Sequence, residues 1–215
     1  MKQITLAIAL ALGAAGAAQA ASINGLVNTG VGTSGSEDSH YALSVVQGAT
    51  VLSSEHGFIT QDNSWPINPW LANSATSRWI TPTANQGESF DAGSAGVYRF
   101  QLQFDLTGYN AASANFMGRF AADNEATVVF NGTQIAVGSS FSAWSGFGAG
   151  TGFNQGINVL DFYVTNWQQN GGNPLGLRVE FSDATVAAVP EPSSYAMLLA
   201  GLGMVGWMAR RRRVG

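Results

Sequence analysis

Val97-Tyr98-Arg99-Phe100-Gln101-Leu102-Gln103-Phe104 alternates apolar and polar side chains over eight positions. In an extended chain successive side chains point to opposite faces, so Tyr98, Phe100, Leu102 and Phe104 share one face and Arg99, Gln101 and Gln103 the other. A strand with one face in a core and one in water belongs to an antiparallel sheet. The same period recurs downstream. Asn115 to Ala121 groups Phe116, Gly118 and Phe120; Asn158 to Thr165 turns Leu160, Phe162 and Val164 one way; Leu177, Val179 and Phe181 alternate with Arg178, Glu180 and Ser182. Thr127-Val128-Val129-Phe130 and Thr133-Gln134-Ile135-Ala136-Val137 flank Asn131-Gly132, a pair suited to a type I′ hairpin because both positions need φ > 0. Outside the two ends no stretch has a period of 3.6. Strands separated by polar, Gly-rich turns predict an all-β body, an antiparallel β-sandwich or jelly roll.

Composition agrees and narrows the function. Hydrophobic residues make up 46% and aromatics 11%, but charged residues only 10%, with 27 glycines. Typical soluble chains carry roughly 25% charged residues. From Ala21 to Val189 there are four arginines, Arg78, Arg99, Arg119 and Arg178, against twelve acids and no lysine, a net charge of −8. An acidic body without clustered cations excludes nucleic acid and anionic membrane surfaces as partners. The absence of cysteine excludes disulfides, thiolate metal sites and a cysteine nucleophile.

The ends have their own logic. Lys2, an apolar run from Ile4 to Ala18 and the triplet Ala18-Gln19-Ala20 read as a signal peptide over 1–20, cleaved after Ala20 between the small residues Ala18 and Ala20 and Ala21. The body then spans 21–188. At the other end Val189-Pro190-Glu191-Pro192 is a rigid break, and Ser193 and Ser194 are placed to cap a helix. Tyr195 to Ala209 is uncharged and apolar, and Arg210, Arg211, Arg212 and Arg213 follow. As a helix this run covers ~22 Å, short against a ~30 Å hydrocarbon core but workable with its flanks as a transmembrane helix. Its terminal arginines favour the cytoplasmic side, which leaves the body outside.

Pro190-Glu191-Pro192, the apolar helix and the arginine cluster, in that order over 189–215, resemble the PEP-CTERM sorting segment of Gram-negative bacteria. The resemblance implies export, transient residence at the inner membrane, processing by an exosortase, and a place at the cell surface or in an exopolysaccharide matrix. Phe100 to Phe181 in turn resembles the galactose-binding-like jelly roll. The likeness runs through Asp123-Asn124, the hairpin Val128 to Gly132, the strand entry Gly156 to Leu160, Val164-Thr165-Asn166, and Asn173-Pro174-Leu175-Gly176-Leu177. It speaks to fold, since these are turns and strand starts, and it implies a sugar-binding accessory domain.

Chemistry is sparse. His40 and His56 are the only histidines, and neither G-x-S-x-G nor H-E-x-x-H occurs. Asp123, Glu125, Asp161 and Glu180 are acids for a glycosidase on paper, but nothing in the spacing singles out a pair. Asp123, Asn124 and Glu125 together offer oxygens for a structural calcium. The tryptophans carry more interest. A tryptophan in a polar loop presents a flat apolar face on which a sugar ring can stack, and Trp65, Trp70, Trp144 and Trp167 sit in such loops; the alternative is that these rings close the ends of the sandwich. The expectation is an exported, non-catalytic protein that binds exopolysaccharide. Its rivals are a secreted carbohydrate-active hydrolase, which needs two convergent carboxylates, and a structural surface protein without ligand, which needs every body tryptophan buried.

Overall fold

The structure is a computed structural model that describes residues 20–62, 66–189 and 192–211. The signal peptide expected over 1–20 lies, apart from Ala20, outside the described residues. Ser22–Val186 forms one compact unit, and the terminal segments belong to a second. Eleven strands appear: β1 Ala20–Ser22, β2 Glu37–Gln47, β3 His56–Ile59, β4 Ile80–Thr81, β5 Gly96–Asp105, β6 Tyr109–Asp123, β7 Glu125–Phe130, β8 Thr133–Gly138, β9 Ser145–Ala149, β10 Ile157–Asn166 and β11 Gly176–Ala188. Their order is β8-β7-β10-β5-β2-β3-β4-β11-β6-β9, with β1 on β11.

This ladder folds over on itself. Phe120 on β6 meets Phe162 on β10 at 6.1 Å between ring centroids, and Phe147 on β9 meets Phe162 at 5.5 Å. Phe116 on β6 packs edge-on against Phe130 on β7 at 5.2 Å. Strands far apart in the ladder therefore share one core, which makes two layers. We call β8-β7-β10-β5-β2 the front layer and β4-β11-β6-β9 the rear layer, with short β3 turning the corner. The chain passes between layers at β4–β5, β5–β6, β6–β7, β8–β9, β9–β10 and β10–β11, the winding of a jelly roll.

Each strand expected from its period is present. β5 and β10 pair without a break from Gly96↔Asn166 to Asp105↔Ile157. In the β7–β8 hairpin Asn131 has φ 46° and Gly132 φ 82°, as a type I′ turn requires. β2 was not legible because its register with β3 and with β5 shifts, which breaks the alternation that the sequence would otherwise display. Eight of the twelve phenylalanines are buried. At roughly 1.5–3 kcal/mol for each such side chain taken from water, an aromatic core holds a domain that has no disulfides.

The outer faces of the two layers differ. Ala121, Arg178 and Glu180 sit on rear-layer strands on the side away from the core, yet all are buried. They are roofed by loop residues Trp70, Trp79, Leu71, Phe141 and Trp144. Gly176 keeps the roof close, since a Cβ there would lie 2.8 Å from the Trp70 ring. Among the described residues the front layer has no such roof, and its outward residues on β5 and β10 are half-buried or exposed, alternating with the buried residues that face the core.

In the terminal unit, helix α1 runs Pro192–Arg211. It is longer than the sequence expectation and begins at Pro192, because proline's fixed φ suits the first helical position, so Ser193 and Ser194 fall within its first turn. Met197, Leu199, Leu202, Met204, Trp207 and Met208 are all exposed. A helix apolar around its circumference belongs in an apolar environment. Among the described residues, however, no helix is long and apolar enough to cross a membrane; Gly201, Gly203 and Gly206 dilute its hydropathy.

Candidate glycan-binding face

The front layer's outer face is built from the polar half of the alternation that opened the sequence. Arg99 stands opposite Tyr163, and Gln101 opposite Asp161. On the far side of β10, Asp161 faces Val129 and Tyr163 faces Thr127. Toward β2, Arg99 adjoins Ser44 and Gln101 adjoins Ala42. Gln101 donates to Asp161 Oδ1 at 2.8 Å, and Gln103 donates to Gln101 Oε1 at 2.9 Å. Arg99 Nε lies 3.9 Å from Asp161 Oδ1, too far for a hydrogen bond, and this buried N–H has no partner. The result is a row of flat, hydrogen-bonding groups beside a half-buried phenol ring.

A depression of about 410 Å³ continues this face at its β2 side, lined by Ser39, His40, Ala42, His56, Gln101 and Gln103 among others. Both imidazoles are fixed through Nδ1, His40 on Asp38 Oδ1 at 3.1 Å and His56 on the Tyr41 carbonyl at 3.2 Å. Asp38 is itself buried and accepts from the Gly30 and His40 amides. The chain neighbours Asp38, Ser39 and His40 thus lie on β2, with the Asp38 carboxylate facing backbone N–H groups as well as the ring.

The structure separates the four tryptophans. Trp65 lies outside the described residues. Trp70 is buried, 4.3 Å from Trp79 and 6.3 Å from Phe141 by ring centroids. It is a correction to the sequence reading that this ring is roof, not platform: proline-bent chain carries it back over the rear layer. Trp144 is half-buried with guanidinium groups close to its ring, Arg119 at 4.4 Å and Arg178 at 4.8 Å. It too is committed, as the cover of an ion cluster in which Glu180 accepts from Arg119, Arg178 and Ser77. Arg178 also donates to the Ala72 carbonyl. Burial opposes ionisation of Glu180, but Ser77 and Arg119 more than offset it and hold its pKa below the ordinary carboxylate range.

Trp167 differs. Its side chain belongs to a residue 52% exposed, one position beyond Asn166 at the end of β10. Its N–H donates to Asn124 Oδ1 at 2.8 Å, and its carbonyl accepts from Asn173 Nδ2 at 2.8 Å. One residue earlier, Asn166 donates to Asp91 Oδ2, which also accepts from the Tyr98 hydroxyl. Asp91 holds φ 59° to present that carboxylate. A backbone bonded on both sides fixes where the indole emerges.

Asp123 is buried, and burial raises its pKa from 3.8 to about 6 although a hydrogen bond from Trp70 works against the rise. Asn124 spends its side chain on Asp123 Oδ1 and on the Trp167 amide, while Glu125 faces Thr165 across the β7–β10 ladder. Among the described residues no group of three or more His, Asp or Glu side chains converges as a metal site would require. Asp123, Asn124 and Glu125 here organise the strand junction that seats Trp167. Glu180 is bound by two arginines, and Glu125 and Asp161 lie four residues apart along β10's register, about 13 Å at ~3.3 Å per residue, beyond the ~5–10 Å that glycoside cleavage uses.

Sequence reasoning found the polar face of β5 but did not assign it a role. Its partner residues Asp161 and Tyr163 come from a strand about sixty positions on, so only the pairing brings the row together.

The fold and face define a β-sandwich with one open polar sheet. At the other end, Pro190, Glu191, Arg212 and Arg213 lie outside the described residues, while Pro192 opens α1 and Arg210 and Arg211 close it, Arg211 over the Trp207 ring at 5.1 Å. Residues 188–213 match the PEP-CTERM protein-sorting motif, which marks an exported protein handled by an exosortase. No curated protein sequence matches the chain. Among solved structures, a family 35 carbohydrate-binding module from an environmental isolate is similar at 17% identity, TM-score 0.29, over 72% of this chain and 97% of that one. The family 11 carbohydrate-binding module of Clostridium thermocellum, solved with a β-1,3-1,4-mixed-linked tetrasaccharide, is similar at 9% identity and TM-score 0.35, over 82% and 99% of the two chains. A beta-glucuronidase from glycoside hydrolase family 2 is similar at 14% identity and TM-score 0.36, over 76% of this chain but only 18% of that enzyme. At these scores the likeness carries no functional argument, and the fold rests on the strand order above.

Proposed function

We propose that this chain is an exported cell-surface protein whose β-sandwich, 21–188, binds polysaccharide without cleaving it. In this reading a leader over 1–20 is removed after Ala20, and an exosortase processes the segment 189–215 as it sits in the inner membrane of a Gram-negative cell. The ligand is exopolysaccharide of the surrounding matrix, held on the front-layer face by hydrogen bonds to Arg99, Gln101, Gln103 and Asp161 and by stacking on Trp167, with Tyr163 across from Arg99. One observation carries the reading: a sheet face, unroofed among the described residues, bearing a row of planar polar groups, among them the Arg99 side chain, 38% exposed beside Asp161. Planar amide and guanidinium groups suit the paired hydroxyls of a sugar ring, and shallow sites of this kind gain strength through repetition along a polymer.

The test is affinity electrophoresis of the protein through gels containing the host's exopolysaccharide. Retardation by the wild type, reduced about tenfold in Arg99→Ala and in Trp167→Ala with unfolding temperatures unchanged within a degree or two, supports the face. Retardation that survives both substitutions removes it as the site. No retardation by any surface polysaccharide leaves a sorted surface protein without a glycan ligand.

A further inference from the structure

We infer that the front-layer face selects an uncharged glycan and rejects uronates and other acidic sugars; this rests on the glycan-binding reading above. The binding of an acidic polymer needs cations free to meet it. Three of the body's four arginines are committed elsewhere. Arg78 donates to the Gly32 carbonyl and lies 3.7 Å from Asp62. Arg119 and Arg178 share Glu180 beneath Trp144, on the rear layer. Arg99 alone reaches the front face, and there the Asp161 carboxylate stands 3.9 Å from its Nε.

That pairing decides the chemistry. The Arg99 guanidinium group, on a side chain 38% exposed, offers donors beside Asp161, an acceptor that takes one hydrogen bond, from Gln101. A donor beside an acceptor fits vicinal hydroxyls, which accept from one group and donate to the other. A sugar carboxylate can only accept. Seated on Arg99, it lies about 4–5 Å from the Asp161 carboxylate. At the dielectric of water that charge cancels most of the attraction Arg99 exerts, so the hydration a carboxylate loses as it displaces solvent goes uncompensated. Glu125, on the outer side of β7, and Asp105, exposed at the end of β5, add to the same sign. The body's net charge of −8 acts in the same direction at longer range.

The experiment compares matched polymers on the full chain, held in a detergent without a sugar headgroup. Polygalacturonate, alginate and hyaluronate are each presented as the native polyanion and after reduction of the carboxyl groups to primary alcohols, alongside mixed-linkage β-glucan and galactomannan. The expected result is retardation by one or more neutral polymers that is unchanged between 50 and 500 mM NaCl. Any polymer bound in its reduced form binds at least fivefold more weakly as the polyanion, and Asp161→Asn narrows that gap. A polyanion that binds as tightly as its reduced form, or whose binding weakens with salt, overturns the inference and leaves glycan binding standing. Failure of every polymer, acidic and neutral, overturns both.

Discussion

Asp123 gives this protein a stability that falls as pH rises toward neutrality, in a direction opposite to that of most carboxylates. Its side chain is 6% exposed at the junction of β6 and β7, where burial lifts the pKa from 3.8 in the free residue to about 6. A raised carboxyl pKa means that the folded state binds the proton more tightly than the unfolded state. The contribution is therefore fully present below pH 3.8 and is lost as pH rises through about 6. At about 1.36 kcal/mol per pH unit between the two values, it amounts to about 3 kcal/mol, roughly a fifth or more of the stability of an ordinary domain. Asp123→Asn keeps the shape and an acceptor for Trp70 but has no charge to bury. Urea unfolding followed by tryptophan fluorescence at half-unit steps from pH 4 to 8 reads the effect directly, since Trp70 contacts this carboxyl. The difference between variant and wild type should be small at pH 4 and grow to about 2–3 kcal/mol in the variant's favour by pH 7.5. Parallel profiles for the two proteins would refute the reasoning.

Two other expectations concern the rear layer. Glu180→Gln leaves Arg119 and the buried Arg178 without their counter-charge and should cost about 3–5 kcal/mol, read as a large drop in unfolding temperature at pH 7; the gap to wild type should shrink on acidification, because Glu180 is ionised in the fold below the usual carboxylate range and that contribution disappears as the carboxylate takes up its proton. Gly118→Ala places a Cβ 2.6 Å from the Glu180 carbonyl and 2.7 Å from the Phe147 ring, overpacking that should destabilise by about 1–3 kcal/mol in chemical unfolding.

The strands were legible because half-burial imposes a period of two on the residues themselves, and the β7–β8 turn because only Asn131-Gly132 chemistry tolerates two positive φ values in succession. The sorting segment was legible for a related reason: its proline break, apolar run and basic end act locally and in order, without tertiary partners. Burial of an individual tryptophan is not local. Trp70 and Trp144 stand in polar, turn-rich sequence that reads like Trp167's surroundings, yet two of the three face a layer whose outward side carries Ala121, Arg178 and Glu180, and that layer needed a roof. What covers what depends on which loop the β-ladder folds beneath it. The candidate site has the same origin. Arg99, Gln101 and Gln103 were plain in the sequence as one polar face, but Asp161 joins them only through the β5–β10 register, and with it comes the charge pairing that decides what the face can hold.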